Sequence, residues 1–428
     1  MFPCYSRATA RHKAATRVAL VVVVAVAWPA SAEASGPDDA AALTLAAVEA
    51  LALDQAPQLD ATRAQAQAAR ERAISARQLP DPRLTAGVSN LPVNGEDRFS
   101  LSRDFMTMTG VGVMQEFPRA SKRRLRGQAE ALAAQIAEAR RVVLEHAIRR
   151  DAALAYLDLW RPQQAARLVE AMVEEARRER SVVEIAFRAG RVPQADLLAA
   201  EVELELLHDR HARLSQDADE ARERLARWTG TPVSTPLTSA EPALPSPPAL
   251  PELLALVEHH PEMQVAETDI ATRDNALALA REAYKPDWRA ELMLAWRPDF
   301  SEMATLQLGM DLPVFTRNRQ DRDVAAAAAD AASVHAMHED HARRLRADAA
   351  AAWRAWSRAR QRLRRYDEVI VPAAAARAEA ALAAYRAGRS ELAAVLDARR
   401  AALDVSLMRL DLQVESLRRL AELRYLSA

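Results

Sequence analysis

The 428-residue chain has one cysteine, ten glycines and few aromatic side chains, and each shortage excludes something. A lone Cys4 excludes a disulfide framework and a cysteine-based zinc site. So little glycine excludes a collagen-like repeat and a flexible Gly-rich linker protein. Neither charge sign dominates: 58 Lys and Arg face 59 Asp and Glu, so there is no bulk basic field and no expectation of nucleic acid as a partner. No stretch reaches the 18 apolar residues of a spanning helix. Gly-rich phosphate loops, H-E-x-x-H, G-x-S-x-G and C-x-x-C are missing, so we expect no enzyme and no cofactor. What is present is Ala, Leu, Arg and Glu in abundance, with 22 prolines. That composition favours long helices interrupted at a few points.

Residues 1–32 have the pattern of a secretory signal. Arg7, Arg11, Lys13 and Arg17 precede the apolar run Val18 to Ala27, and Ala30-Ser31-Ala32 is a small-x-small exit. Cys4 lies inside this leader, so cleavage after Ala32 leaves no cysteine to carry a lipid.

The rest of the chain repeats once. Ala56-Pro57 answers to His260-Pro261, Asp81-Pro82 to Lys285-Pro286, and Phe117-Pro118 to Leu312-Pro313. The segment F-R-A-G-R-V from Phe187 answers to Y-R-A-G-R-S from Tyr385. A period of about 200 residues is too long for a solenoid and indicates duplication of one large unit. The first repeat spans 33–228, with strands near 82–91 and 105–117 and a long helical hairpin over 120–228. A Pro/Thr/Ser-rich linker occupies 229–251. The second repeat spans 252–428, with strands near 287–298 and 302–314 and a hairpin over 319–425. Each repeat opens on a helical segment, Leu43 to Leu79 and Glu252 to Tyr284. The first helix of each hairpin runs for about 70 residues, or about 100 Å. Such a length implies helices packed side by side.

The strands point to a membrane. Trp288, Ala290, Leu292, Leu294 and Trp296 alternate with Arg289, Glu291, Met293, Ala295 and Arg297. Ala304, Leu306, Leu308, Met310 and Leu312 alternate with Met303, Thr305, Gln307, Gly309 and Asp311. Strict alternation over about ten residues, with an aromatic at each end of the apolar face, fits a lipid-facing barrel strand; a half-buried sheet beneath helices gives the same alternation. Four strands are too few to close a barrel, and an open sheet in lipid has two unpaired edges. Three copies supply twelve strands, and the expected state is a homotrimer in contact with outer-membrane lipid.

On the duplicated plan, and on the tip motif Y-x-x-G-x-x-x-x-A-x-x-x-D with Tyr385, Gly388, Ala394, Asp397, Ala398 and Arg399, the chain resembles the TolC family of outer-membrane efflux channels. The resemblance implies a mainly α fold with a small β part. Very long hairpins form a trimeric α-barrel across the periplasm of a Gram-negative bacterium, below a shared twelve-strand β-barrel. It also implies a passive duct that meets a periplasmic adaptor protein and an inner-membrane resistance-nodulation-division pump. The segments Asn90 to Gly95 and Met108 to Pro118 are similar to the family's heavy-metal branch, which serves copper/silver and cobalt-zinc-cadmium pumps. Drug efflux and type I secretion use ducts of the same fold, and a soluble periplasmic coiled-coil scaffold is the reading that needs no barrel.

By the same resemblance, acidic side chains ring the pore at the periplasmic tip, which makes Asp196 and Asp397 the gate and selectivity candidates. Clustered carboxylates in a narrow pore favour cations. Phe187, Gly190, Arg191, Tyr385, Gly388 and Arg389 are the candidates for the tip and its adaptor contact, and Trp288 and Trp296 for the membrane girdle. His335, His338 and His341, with Met337, recur at helical spacing on the second long helix. These residue types suit soft metals, and a solvated polar helix face accounts for the same spacing.

Overall fold

The computed structural model describes residues 42–428, and the expected leader with Cys4 lies outside the described residues. The first repeat comprises α1 (Leu45–Asp54), α2 (Pro57–Ser75), β1 (Arg83–Ser89), β2 (Met108–Phe117), α3 (Ala120–Arg188) and α4 (Gln194–Thr229). The second comprises α5 (Leu250–Val257), α6 (Pro261–Glu282), β3 (Trp288–Arg297), β4 (Phe300–Met310), α7 (Gln320–Arg365), α8 (Val371–Arg386) and α9 (Leu392–Leu426). The architecture is mainly helical with one four-stranded sheet, as the resemblance implies.

The strands end a few residues from where the alternation places them, β4 being Phe300–Met310 rather than 302–314; three larger details also differ from the sequence expectation, and two of them trace to proline. The opening segment of each repeat is two helices with an elbow between them, at Ala56-Pro57 and at His260-Pro261. Proline fits the first helical position because its missing N–H has no intrahelical partner there. The second long helix is likewise not continuous: a wide π-type turn, Tyr366–Ile370, separates α7 from α8. Pro372 follows one residue later, and the wide turn eases the clash of its ring with the carbonyl four residues before, whereas Pro162 is carried within α3 without such an interruption. The third difference is in the linker, which is not a bare strap. Val233 and Leu237 are buried, and Leu43 forms a parallel bridge with Leu237.

The main core lies at mid-height on α3. Ile148, Tyr156, Leu157, Leu159 and Trp160 pack there against α1, α4, α9 and the linker. The Tyr156 hydroxyl donates to the Leu43 carbonyl at 3.2 Å, and Trp160 Nε1 donates to the Thr238 carbonyl at 3.1 Å. A smaller core repeats this plan around α5, α7 and the end of α9, and Trp353 Nε1 donates to the Pro248 carbonyl at 3.1 Å. A third cluster joins the two hairpins at their tips through Val183, Ala200, Leu392, Val395 and Leu396.

The sheet is antiparallel in the order β1-β2-β3-β4, so β1 and β4 are its two edges. Register places like with like. Leu84, Val113, Leu292 and Leu306 lie in one row across the sheet, and Ala86, Val111, Leu294 and Ala304 in the next. Phe117, Trp288 and Met310 close that face at the helical end, and Trp296 opposite Thr109 closes it at the far end. The other face carries Thr85, Gly112, Met293 and Thr305, then Gly87, Gly110, Ala295 and Met303. The helices do not cover the apolar face: Trp288 is 50% exposed, Leu306 68% and Leu308 70%.

The R-A-G-R repeat has a conformational cause. Gly190 (φ 69°) and Gly388 (φ 66°) are left-handed residues that end α3 and α8. The Gly190 amide donates to the Phe187 carbonyl and the Arg191 amide to that of Ala186. Gly388 and Arg389 do the same to Tyr385 and Ala384. This is the Schellman pattern, which satisfies the last carbonyls of a helix and turns the chain back. A Cβ at either glycine meets nothing within 4 Å, so only the backbone resists substitution. Gly190→Ala and Gly388→Ala are each expected to destabilise by about 1–2 kcal/mol, and asparagine to cost less than alanine. Denaturant titration of the four variants checks this.

Candidate functional site

The helical tip and the sheet are the two places where the candidate residues gather. At the tip, Asp196 sits half-buried in the first turn of α4, where a carboxylate complements the helix dipole. Tyr385 lies close enough to feel its charge. Burial first, then the Asp196 and Glu179 carboxylates, raises the Tyr385 phenol above its ordinary value. The structure therefore brings Asp196 and Tyr385, one from each repeat, to one place.

Asp397 is elsewhere on the same surface. It is exposed on α9, with Arg400 Nη1 3.5 Å from its Oδ1. Together with Ala195, Leu198, Val202 and Glu203 it lines a groove of about 430 Å³ between α4 and α9. Phe187 is partly exposed, and Gly190, Arg191, Gly388 and Arg389 are exposed at the two turns.

The hairpins are held together just above the turns by ion pairs whose register is invisible in the sequence. Arg399 of α9 reaches Glu179 of α3 at 2.6 Å, with both side chains largely covered. Arg400 pairs with Glu203 of α4, and Arg210 of α4 with Asp404 of α9 at 2.9 Å. Burial raises the Glu179 carboxyl above its usual range, and the Arg399 guanidinium opposes that. Arg399 belongs to the tip motif read from the sequence, but nothing in that motif points to Glu179 or Glu203 as partners.

The histidines are far along the chain from the tip motif and do not make a cluster of ligands. His341 Nε2 contacts Glu262 Oε2 at 3.0 Å, and its Nδ1 faces Arg344 at 3.1 Å. His338 and His341 line a groove of about 1190 Å³ between α3, α6 and α7, and His335 stays on the exposed side. Among the described residues, no group of three or more His, Cys, Asp or Glu is placed to hold a metal ion.

The sheet completes the geometry. From Trp288 to Trp296 its apolar face extends about 26 Å along the strand, close to the height of a lipid-facing barrel band. Gly110 and Gly112 sit on the opposite face. A Cβ at Gly110 would meet the Leu294 carbonyl at 2.9 Å, and one at Gly112 the Thr85 hydroxyl at 2.9 Å. Among the described residues no helix is long and apolar enough to cross a membrane.

Residues 48–231 match the family model described as "Outer membrane efflux protein". A comparison with curated proteins finds no match. Among solved structures, CusC resembles the chain with a TM-score of 0.76 at 15% identity, over 90% of this chain and 92% of that one. The CmeC outer membrane channel of Campylobacter jejuni gives 0.75 at 14% identity, over 90% and 85%. The MtrE outer membrane channel of Neisseria gonorrhoeae, solved in an open state, gives 0.73 at 18% identity, over 90% and 88%. The chain therefore has the fold of these channels.

Removing Arg399 leaves Glu179 buried and unpaired. Arg399→Ala is expected to destabilise by roughly 3–5 kcal/mol at a pH well above the raised carboxyl value, where Glu179 is charged. Because burial raises this carboxyl in the folded state, the loss shrinks as pH falls toward the raised value and Glu179 takes up a proton. Adding Glu179→Gln recovers much of the loss at the higher pH. Thermal melts of the two variants at several pH values check both statements.

Proposed function

We propose that this chain is one third of an outer-membrane exit duct. Three copies close a twelve-strand barrel through the lipid, and their hairpins form a tube through the periplasm. The observation that carries this reading is the apolar face: four strands wide, matched row by row, bounded by tryptophans and uncovered by any of the described residues. In water such a face is a liability, since each large apolar side chain left exposed forgoes about 1.5–3 kcal/mol. In lipid it is the expected surface. The two open edges, β1 and β4, support trimerisation, because only closure satisfies edge groups inside a bilayer. The family match and the shared fold support the same reading.

The small and polar side chains of the opposite face line the lumen. Transport through such a tube is passive, with selection at the tip. Asp196 beside Tyr385, and Asp397 beside Arg400, supply carboxylates that three copies multiply into a cation-favouring constriction. A periplasmic adaptor and an energised inner-membrane pump dock at this end, where Phe187, Arg191 and Arg389 stand exposed. Heavy-metal cations are the proposed cargo. This rests on the segments Asn90 to Gly95 and Met108 to Pro118, which occupy the β1–β2 loop and β2.

Within one chain, β1 and β4 are three strand spacings apart, about 14 Å, too far for a disulfide. With Cys4→Ser to remove the native thiol, Thr85→Cys is expected to cross-link to a lumen-side cysteine on β4 of a neighbouring copy. Met303→Cys, Thr305→Cys and Gln307→Cys are tried in turn to find the register. Thr85→Cys with Leu306→Cys, on opposite faces, gives no product. Denaturing electrophoresis of oxidised membranes reads the result, and monomer throughout would exclude the shared barrel. For the gate, Asp196→Asn with Asp397→Asn is expected to lower the cation-over-anion permeability of reconstituted pores severalfold in potassium and zinc salts. An unchanged reversal potential would remove both carboxylates from the filter.

A further inference from the structure

The C-terminal end of α9 meets the elbow between α5 and α6, where the Tyr425 hydroxyl donates to the Glu262 carboxylate and the His260 ring bridges the two helix ends. His260 is fully buried. Its Nδ1 accepts from the Glu262 amide at 3.2 Å, which caps the N-terminus of α6. Its Nε2 is 3.0 Å from the Tyr425 carbonyl in the last turn of α9. With Nδ1 accepting, the proton must be on Nε2, which then donates to that carbonyl. The same imidazole thus supplies an acceptor to one helix end and a donor to another. The ring also packs edge-on against the Tyr425 ring, with centroids 5.1 Å apart.

The first repeat has no such device. Its elbow residue at the matching position is Ala56, which makes no side-chain cap. The end of α4 meets that elbow through Gly230, packed close to Gln55. Of the two equivalent joints, only the second depends on a group that titrates.

We propose that His260 is a proton-sensitive joint: in its neutral form it splices α9 to α6, and protonation releases the α6 side. A protonated ring has two donors and no acceptor, so the Glu262 amide loses its partner. The new positive charge also faces the N-terminus of α6, where the helix dipole disfavours it, while the bond to the α9 carbonyl survives. The second hairpin, which carries Tyr385 and Asp397, then gains freedom against the upper helices.

The surroundings set the direction of the response. Burial, the largest influence, lowers the His260 value below 6.5; the Tyr425 carbonyl and Glu262 oppose this, and His341 of α7 adds to it. From α3, Arg150 lies over the Tyr425 ring at 4.5 Å, and His146 and Arg149 line the adjoining pocket. His146 is itself lowered by burial, then by Arg149 and His260. Arg424 of α9 is held by Glu49 of α1 at 2.7 Å, and Arg344 of α7 faces His341. Because the folded value is depressed, the joint contributes in full above about pH 6.5 and weakens as pH falls below it.

The inference needs only the joint and stands whether or not the chain proves to be a duct. Hydrogen exchange on the purified full-length protein, corrected for intrinsic rates, tests it between about pH 8 and about pH 5. Wild type is expected to lose protection about tenfold or more across residues 258–266 as pH falls. His260→Asn, which can cap without titrating, flattens that profile, and His341→Gln leaves it intact. A wild-type profile without pH dependence overturns the proposal, as does a His260→Asn profile that follows wild type or its abolition by His341→Gln. If His260→Asn fails to fold, exchange at the imidazole C2 position in wild type decides. Titration of His260 below the ordinary histidine value supports the joint, and titration at or above it overturns the joint.

Discussion

A sheet with one largely apolar face and two open edges is unstable alone in water, and most of this structure follows from how that problem is met. Among the described residues, no element folds over Leu292, Leu306 or Leu308. The strands that carry them are matched in register across all four positions, so the apolar surface is built to be continuous rather than scattered. On the proposed reading, lipid is the solvent for that surface and another copy is the partner for each edge. The helices are as drawn out as the sheet is bare: among the described residues the core is divided into three clusters, and stability is spread along the helices.

The spread is uneven. α9 is tied to its neighbours along most of its length: to α3 by Arg399 and by Asp411 with Arg161, to α4 by Asp404, and to α1 by Arg424. Exposed pairs of this kind contribute little singly. The Arg399–Glu179 pair differs because both partners are mostly covered, so its two halves depend on one another. The linker between the repeats is also structural, since Leu237 and the carbonyls of Thr238 and Pro248 anchor the tryptophans of both long helices.

Different features were legible to different degrees. The alternation in β3 and β4 is visible because a period of two needs only a short window, and Trp288 and Trp296 mark its limits. β1 and β2 are fainter because Gly87, Gly110 and Gly112 dilute the pattern of the face opposite the apolar one. The tip turns were legible through the repeated R-A-G-R, whose glycines the backbone demands. Asp196 and Asp397 entered through family resemblance, which does not say that only the first would lie beside Tyr385. Contacts between distant residues stayed hidden. His260 reads as a polar residue before a proline until Tyr425, 165 positions later, is seen against it. Nothing local in the sequence pairs Glu179 with Arg399. The interruption at Tyr366–Ile370 was masked by helix-forming residues on both sides, although Pro372 was in plain view.

That interruption bears on how the two hairpins are matched. A π-type turn accommodates one residue more than an α-helix would, so it advances the chain without advancing its rotation. Everything beyond it, through to the aromatic at the far turn, keeps the heading that an uninterrupted α-helix without that residue would give. Trimming one position there would restore an ordinary α-helical turn and leave a helix of nearly unchanged length whose tip faces the same way. The second hairpin can therefore carry an additional residue at this point without losing the phase that sets its tip against the first.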